Sequence, residues 1–324
     1  MSNPASKLES RLQAAIEERR YYEAHQIYKT LYFRCLTRKN YSDATNHLYT
    51  GALFFLTNEQ WESGAELAGL FLDVHIKSKQ NLTDENLDQM CDLLTKLRPD
   101  DDRNAFVQKA TSLLNTNKRL LGLFNEHYAR ILWLEGSFSE ARFRIMLSLN
   151  GYAVGSFLVA LHQHCGLRSE IDLFVTQAVL QFLSIRQFTV ATLTYYTYTR
   201  GHPRLEPGPP FLQFPLLNFL WFLMLAIDKK CGVSVFSVLR DKYSPQLRRD
   251  TSFSMYLDKI GQLYFNIEPP HQESNNIFSN ILKLFGSGDK NESDSLDVTE
   301  SVPSTSHSEG PSANQDNLFV EDVD

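Results

Sequence analysis

The sequence predicts an all-α protein: a right-handed α-solenoid of stacked helical hairpins with irregular, TPR-like repeats. Three observations lead there. Between residues 7 and 285 apolar residues recur at helical rather than alternating spacing. An aromatic-x-x-small pattern returns at a fixed interval. At least one helix carries apolar residues on two opposite sides, as a helix stacked between layers must. The 324 residues are 43% hydrophobic and hold only 15 glycines and 12 prolines, so a packed core is affordable and collagen-like or low-complexity classes are excluded.

In chain order, residues 1–6 read as a flexible N-terminus, 7–150 as the N-terminal half of the solenoid, 151–285 as its C-terminal half and 286–324 as a disordered acidic tail. The pairs Tyr21/Ala24, Tyr41/Ala44 and Trp61/Gly64 are spaced by 20 residues, about one four-turn helix and a tight turn, and Phe138/Ala141 repeats the pattern further on. Each pair sets a large ring beside a small residue that admits a neighbour. On the helix that Tyr21 opens, Ala24, Tyr28, Leu31 and Cys35 line one side, and Tyr22, Phe33 and Leu36 the other. The spacing thus predicts a helix sandwiched between layers.

The helix opened by Trp61 carries Glu62, Glu66, Asp73 and Lys77 as one narrow polar ridge, read either as a solvated face or as a surface that sets a partner's register. Ser137 with Glu140, and Ser169 with Asp172, are expected to cap helix starts. Tyr195 to Pro215 reads as a long loop or small hairpin, because its Thr/Tyr run leads into Pro203, Pro207, Pro209 and Pro210. The run FPLLNFLWFLMLAID is apolar on every side and must be enclosed, by its own solenoid or partly by a partner. Its greasiest portion, Phe219 to Ile227, is far shorter than the roughly 18 residues that suggest a membrane span. After Pro269 and Pro270, the residues Ile277, Phe278, Ile281, Leu282, Leu284 and Phe285 form a stripe read as a closing cap or a docking helix. The tail carries −9 of the net −6, leaving the body at +3.

Chemistry finds little support. The chain has no GxxxxGK, GxGxxG, HExxH or GxSxG motif, so no cofactor and no catalytic residue are assigned and an enzyme is not expected. Cysteines 35, 91, 165 and 231 are too far apart for a zinc pair and read as reduced thiols. His162, His164 and Cys165 form the one metal-like cluster, but positions i and i+2 of a helix point about 200° apart and cannot chelate together. The weakly basic body has no Lys/Arg stripe suited to nucleic acid, although the first 40 residues hold eight Lys/Arg against four Glu. That cluster is a solvated face or a partner surface. Without a secretory signal, a cytosolic protein is expected.

The strings YYEAHQIYKTLYFR (21–34), SEIDLFVTQAVLQFL (169–183), GPPFLQFPLLNFLWFLMLAID (208–228) and RRDTSFSMYLDKIGQLYF (248–265), in this order, resemble the Golgi to ER traffic protein 4 family. The resemblance implies a cytosolic α-solenoid adaptor in the delivery of tail-anchored membrane proteins to the endoplasmic reticulum, without catalysis. It implies an N-terminal half that docks a targeting ATPase through Tyr22, Gln26, Lys29, Arg34, Glu66 and Asp73. It further implies a C-terminal half that holds a ubiquitin-like protein through Phe211, Phe214, Leu217, Phe219, Trp221, Phe222, Tyr256, Ile260, Leu263 and Tyr264, with the proline-rich segment as a clasp. In animals a BAG-family co-chaperone, Scythe, joins them. The competing class is another helical-repeat scaffold, proteasome-lid-like or a peptide-binding TPR-like adaptor; a third is a helical-repeat enzyme subunit.

Overall fold

The structure, a computed structural model, describes residues 4–268. The acidic tail and the apolar stretch at 277–285 lie outside the described residues. The helices run α1 (Pro4–Glu17), α2 (Tyr21–Thr37), α3 (Tyr41–Thr57), α4 (Trp61–Ser78) and α5 (Asp84–Lys96). There follow α6 (Asp101–Leu114), α7 (Lys118–Leu134), α8 (Phe138–Leu147), α9 (Gly151–Cys165) and, after a 3₁₀ turn at Arg168–Glu170, α10 (Ile171–Ser184). The last are α11 (Phe188–Gly201), α12 (Pro215–Asp228), α13 (Val233–Lys242), α14 (Ser244–Leu247) and α15 (Ser252–Phe265). No strand occurs among the described residues. Because α1 begins at Pro4, the expected flexible stretch 1–6 is cut short by a helix start.

All four aromatic-x-x-small pairs open helices, and Phe188/Ala191, passed over in the sequence, opens α11. The 20-residue interval is a 17-residue helix and a three-residue turn. Each turn closes by one bond: the amide of Arg20, Asn40, Gln60, Ser137 or Gln187 donates to the carbonyl five residues back, at 2.8–2.9 Å. That bond demands a left-handed residue just before it, and Arg19, Lys39, Glu59, Gly136 and Arg186 all have φ between 54° and 79°. The small fourth residue lets the next helix fold back tightly: a Cβ on Gly64 would stand 2.6 Å from Leu56 Cγ.

Neighbouring helices pack as hairpins, and alternate helices also pack on one another: α3 on α5, α4 on α6, α5 on α7, α9 on α11 and α10 on α12. This second set of contacts makes the stack a solenoid, because each layer buries its apolar faces on the next. One hydrophobic cluster runs from Leu12 to Ala141 and another from Ala129 to Phe265, with Trp133 and Phe157 packed against both.

Three expectations are corrected. Tyr195–Gly201 is helical, so the loop spans only 202–214 and holds no hairpin; Tyr195 and Tyr198 are wholly buried, and tertiary packing overrides the strand preference of the Thr/Tyr run. Their hydroxyls donate to Leu217 O (3.0 Å) and Ile171 O (2.7 Å). α2 is not sandwiched: Ala24, Ile27, Tyr28, Leu31 and Tyr32 are buried, while Tyr22 and Phe33 are 80% and 56% exposed. The α2 edge of the stack has no further layer to cover it. Finally, Ser137 makes no capping bond, and Ser169 sits in the 3₁₀ turn while Asp172 faces an arginine.

Candidate protein-docking site

On α2, Tyr22, Gln26, Lys29 and Phe33 fall at i, i+4, i+7 and i+11, one strip of the helix. Tyr22, Gln26 and Phe33 are exposed, as is the neighbouring Arg34, whose side chain has no hydrogen-bond or ion-pair partner among the described residues. Lys29 is half-buried and spoken for: its Nζ donates to Glu66 Oε1 at 2.6 Å. His25 Nε2 stands 3.1 Å from the other Glu66 oxygen, off the axis of a directed hydrogen bond. Burial lowers the pKa of His25 from its ordinary value, against the pull of Glu66.

The polar ridge of α4 is therefore mostly partnered within the chain. Asp73 accepts from Lys109 of α6 at 2.9 Å, and Lys77 donates to the Tyr32 hydroxyl of α2 at 3.0 Å. Glu66, Asp73 and Lys77 tie α4 to the helices on either side of it. Half-exposed pairs of this kind are worth about 0–1 kcal/mol each; what they fix is the register of the stack. The α2 strip thus differs from the α4 ridge in kind, since its ends are unengaged. Phe33 belongs to the strip, yet the sequence reading assigned it to a buried layer. Its helical spacing from Tyr22 was visible, but nothing in the sequence shows which side of a helix lacks a neighbour.

The C-terminal candidates divide by burial. Phe211, Leu217, Phe219, Tyr256 and Ile260 lie in the core of their own solenoid and offer no surface to another chain. This corrects their reading as groove residues: α12 is apolar all round because it packs on α10, α13 and α14. Phe214, Trp221, Leu263 and Tyr264 are half-buried, and Phe222 is exposed. Leu225, one turn from Phe222 and also exposed, was missed. Asn218 was missed too; its side chain accepts from Phe211 N and donates to Phe211 O, both at 2.8 Å, pinning the proline-rich loop to α12.

The metal-like cluster disperses. Cys165 Sγ donates to Leu161 O, and His164 packs on the rings of Phe138 and Trp133. His162 instead joins a buried chain: Arg204 N donates to His202 Nδ1 (3.2 Å), His202 Nε2 to His162 Nδ1 (2.9 Å), and His162 Nε2 to Leu167 O (2.9 Å). With the backbone amide at one end and the carbonyl at the other, both tautomers are fixed. Burial, then the neighbouring His162 and Arg204, pushes the His202 pKa down to about 4. A second latch joins the buried Asp172 of α10 to the exposed Arg249, whose Nη1 reaches both carboxylate oxygens at 3.0 and 2.8 Å while Nη2 donates to Ser169 O. Among the described residues no three His, Cys, Asp or Glu side chains gather to hold a metal ion.

A stack of helices whose polar clusters serve as internal ties, and whose unengaged features are side-chain ridges at its edges, is a helical-repeat scaffold. The profile described as Golgi to ER traffic protein 4 matches residues 38–285. The chain is 40% identical over 288 residues to the Golgi to ER traffic protein 4 homolog of Oryzias latipes, covering 87% of this chain and 88% of the relative. To the Bos taurus homolog it is 39% identical over 302 residues, covering 91% and 92%, and to the Homo sapiens homolog 39% over 290 residues, covering 88% of each. A crystal structure of Get4 from C. therm. aligns over 91% of this chain and all of that one, with a TM-score of 0.72 at 22% identity, a shared fold. The chain belongs to the Golgi to ER traffic protein 4 family, and so to the GET pathway. No helix among the described residues is long and apolar enough to cross a membrane.

Proposed function

We propose that this chain is a cytosolic scaffold that brings a targeting ATPase of the tail-anchored protein pathway together with a ubiquitin-like protein and a BAG-family co-chaperone. The ATPase takes the α2 strip, and the ubiquitin-like protein takes the apolar edge around Phe222, with Trp221, Leu263 and Tyr264 flanking. The observation that carries this reading is the α2 strip itself: two exposed aromatic rings and an unpaired arginine on a helix whose other side is fully packed. Exposed Tyr and Arg at an otherwise well-packed edge are the residue types that dominate binding energy in protein interfaces. Holding two partners on one rigid body raises the effective concentration of one for the other, so handover needs no catalytic residue.

Glu66 and Asp73 enter as supports: Glu66 fixes Lys29 within the strip, and Asp73 fixes α6. Reversing Asp73 would break an internal tie and confuse docking with folding, so the test uses exposed residues only. In a calorimetric titration, Tyr22→Ala with Arg34→Glu is expected to weaken ATPase binding by about tenfold or more, roughly 1.4 kcal/mol, and to leave the ubiquitin-like protein bound. Equal ATPase affinity in the double variant sinks the assignment.

A further inference from the structure

α8, α9 and α10 border a cleft of about 330 Å³ that shares no residue with the α2 strip or the Phe222 edge. Phe138, Leu161, Leu173 and Phe174 give it apolar walls, and Arg142 of α8 is the one cation among the described residues that line it. The volume is at the lower end of the roughly 300–1,000 Å³ of ligand sites, room for a single residue and not for a helix.

Arg142 is half-buried and poorly matched. Its Nη2 donates to Gln177 Oε1 at 2.7 Å, a neutral acceptor, and no carboxylate forms an ion pair with it among the described residues. Burial lowers its pKa from the ordinary value, against the pull of Tyr256 and Asp250. Other enclosed arginines are matched: Arg103 holds both oxygens of Glu135, and Arg144 lies over the Tyr128 ring at 4.9 Å. A guanidinium in an apolar cleft, with most of its five N–H groups not taken by protein, is a fork shaped for a carboxylate. Glu170 and Asp250 also border the cleft, each already accepting from a backbone amide, of Leu167 at 2.9 Å and of Ser252 at 2.8 Å. Their charges leave room for one anionic group at Arg142 and disfavour a run of them.

We propose that this cleft binds the C-terminal residue of a partner protein, with its α-carboxylate on Arg142, its apolar side chain between the Phe138 and Phe174 walls, and basic or uncharged residues before it. A chain terminus carries the carboxylate and the apolar group on one residue, as so small a cleft requires. An internal Asp or Glu has no apolar group of its own and would need a second side chain in the same space.

Cys165, an exposed free thiol on the cleft wall, reports occupancy in the full chain. The probe is a pool of acetylated tetrapeptides that end in leucine or phenylalanine, with glycine, serine and lysine before it. The free acids are expected to slow alkylation of Cys165 by iodoacetamide about threefold or more at saturation, read by mass spectrometry, and to leave Cys35 and Cys231 unchanged. The same pool as C-terminal amides should have no effect, a comparison that needs no variant. Arg142→Met should abolish the protection by the acids. The proposal is overturned by acids and amides that protect equally, by acids that protect Arg142→Met as well as wild type, or by no protection at all. It is also overturned if amides with an internal glutamate protect as well as the acids, which would make an acidic side chain the occupant, or if protection without peptide grows with protein concentration, which would make it a second copy.

Discussion

Acid should loosen the C-terminal half of this protein through one residue, His202. Its ring is 2% exposed, with Nδ1 facing the backbone N–H of Arg204 and Nε2 committed to His162. A proton added at Nδ1 would set two donors against each other, and the charge would be buried. The unfolded chain takes up that proton near pH 6.5, and the folded one only near pH 4. Above pH 6.5 neither state is protonated and the group has no effect on stability. Below it the unfolded state gains a proton that the folded state refuses, so stability falls by about 1.4 kcal/mol per pH unit until the folded pKa is reached. From pH 7 to pH 5 the loss is about 2 kcal/mol. His25, His75 and His127 are also lowered by burial and shift stability in the same direction, so the measurement is a difference. Urea unfolding of the wild-type chain and of His202→Gln is compared at pH 7 and pH 5. The variant is expected to be less stable at pH 7 by about 1–3 kcal/mol, because the Arg204 amide loses the Nδ1 acceptor, and to lose about 2 kcal/mol less than wild type on acidification. Parallel losses in the two proteins would refute the argument.

The recurring turn gives a stabilising change: Glu59 has φ 61° in an exposed turn, so Glu59→Gly should raise stability by about 0.5–1 kcal/mol, read as a higher urea midpoint. The Asp172–Arg249 latch gives a non-additive one. Arg249→Met strands the Asp172 carboxylate and should cost about 3–5 kcal/mol, whereas adding Asp172→Leu should recover part of that loss; additive costs in a double-mutant cycle would argue against the latch.

How much was legible follows from which signals are local. The Tyr21, Tyr41 and Trp61 spacing located three helix starts, because an aromatic ring beside a small residue is a packing wedge that the sequence displays directly. The left-handed turn residues could not be read: at Arg19, Lys39, Glu59 and Arg186 no glycine marks them, and the conformation is imposed by the helices on either side. Apolar spacing showed that α2 and α12 have greasy flanks, but not which flank meets a neighbour. Phe33 and Phe219 look alike in the sequence, and one is exposed while the other is fully buried.

By itself, then, the sequence determined that this is a layered helical protein, where several of its helices begin and which family it resembles, since periodicity and local wedges are properties of contiguous residues. The tertiary structure alone decided which ridges are free. It sent Glu66, Asp73 and Asp172 to internal partners and joined His162 to His202 across 40 positions of chain. It also left Tyr22, Phe33 and Val238 uncovered. Burial and pairing are set by residues distant in sequence, and only the stacking of the layers brings those together.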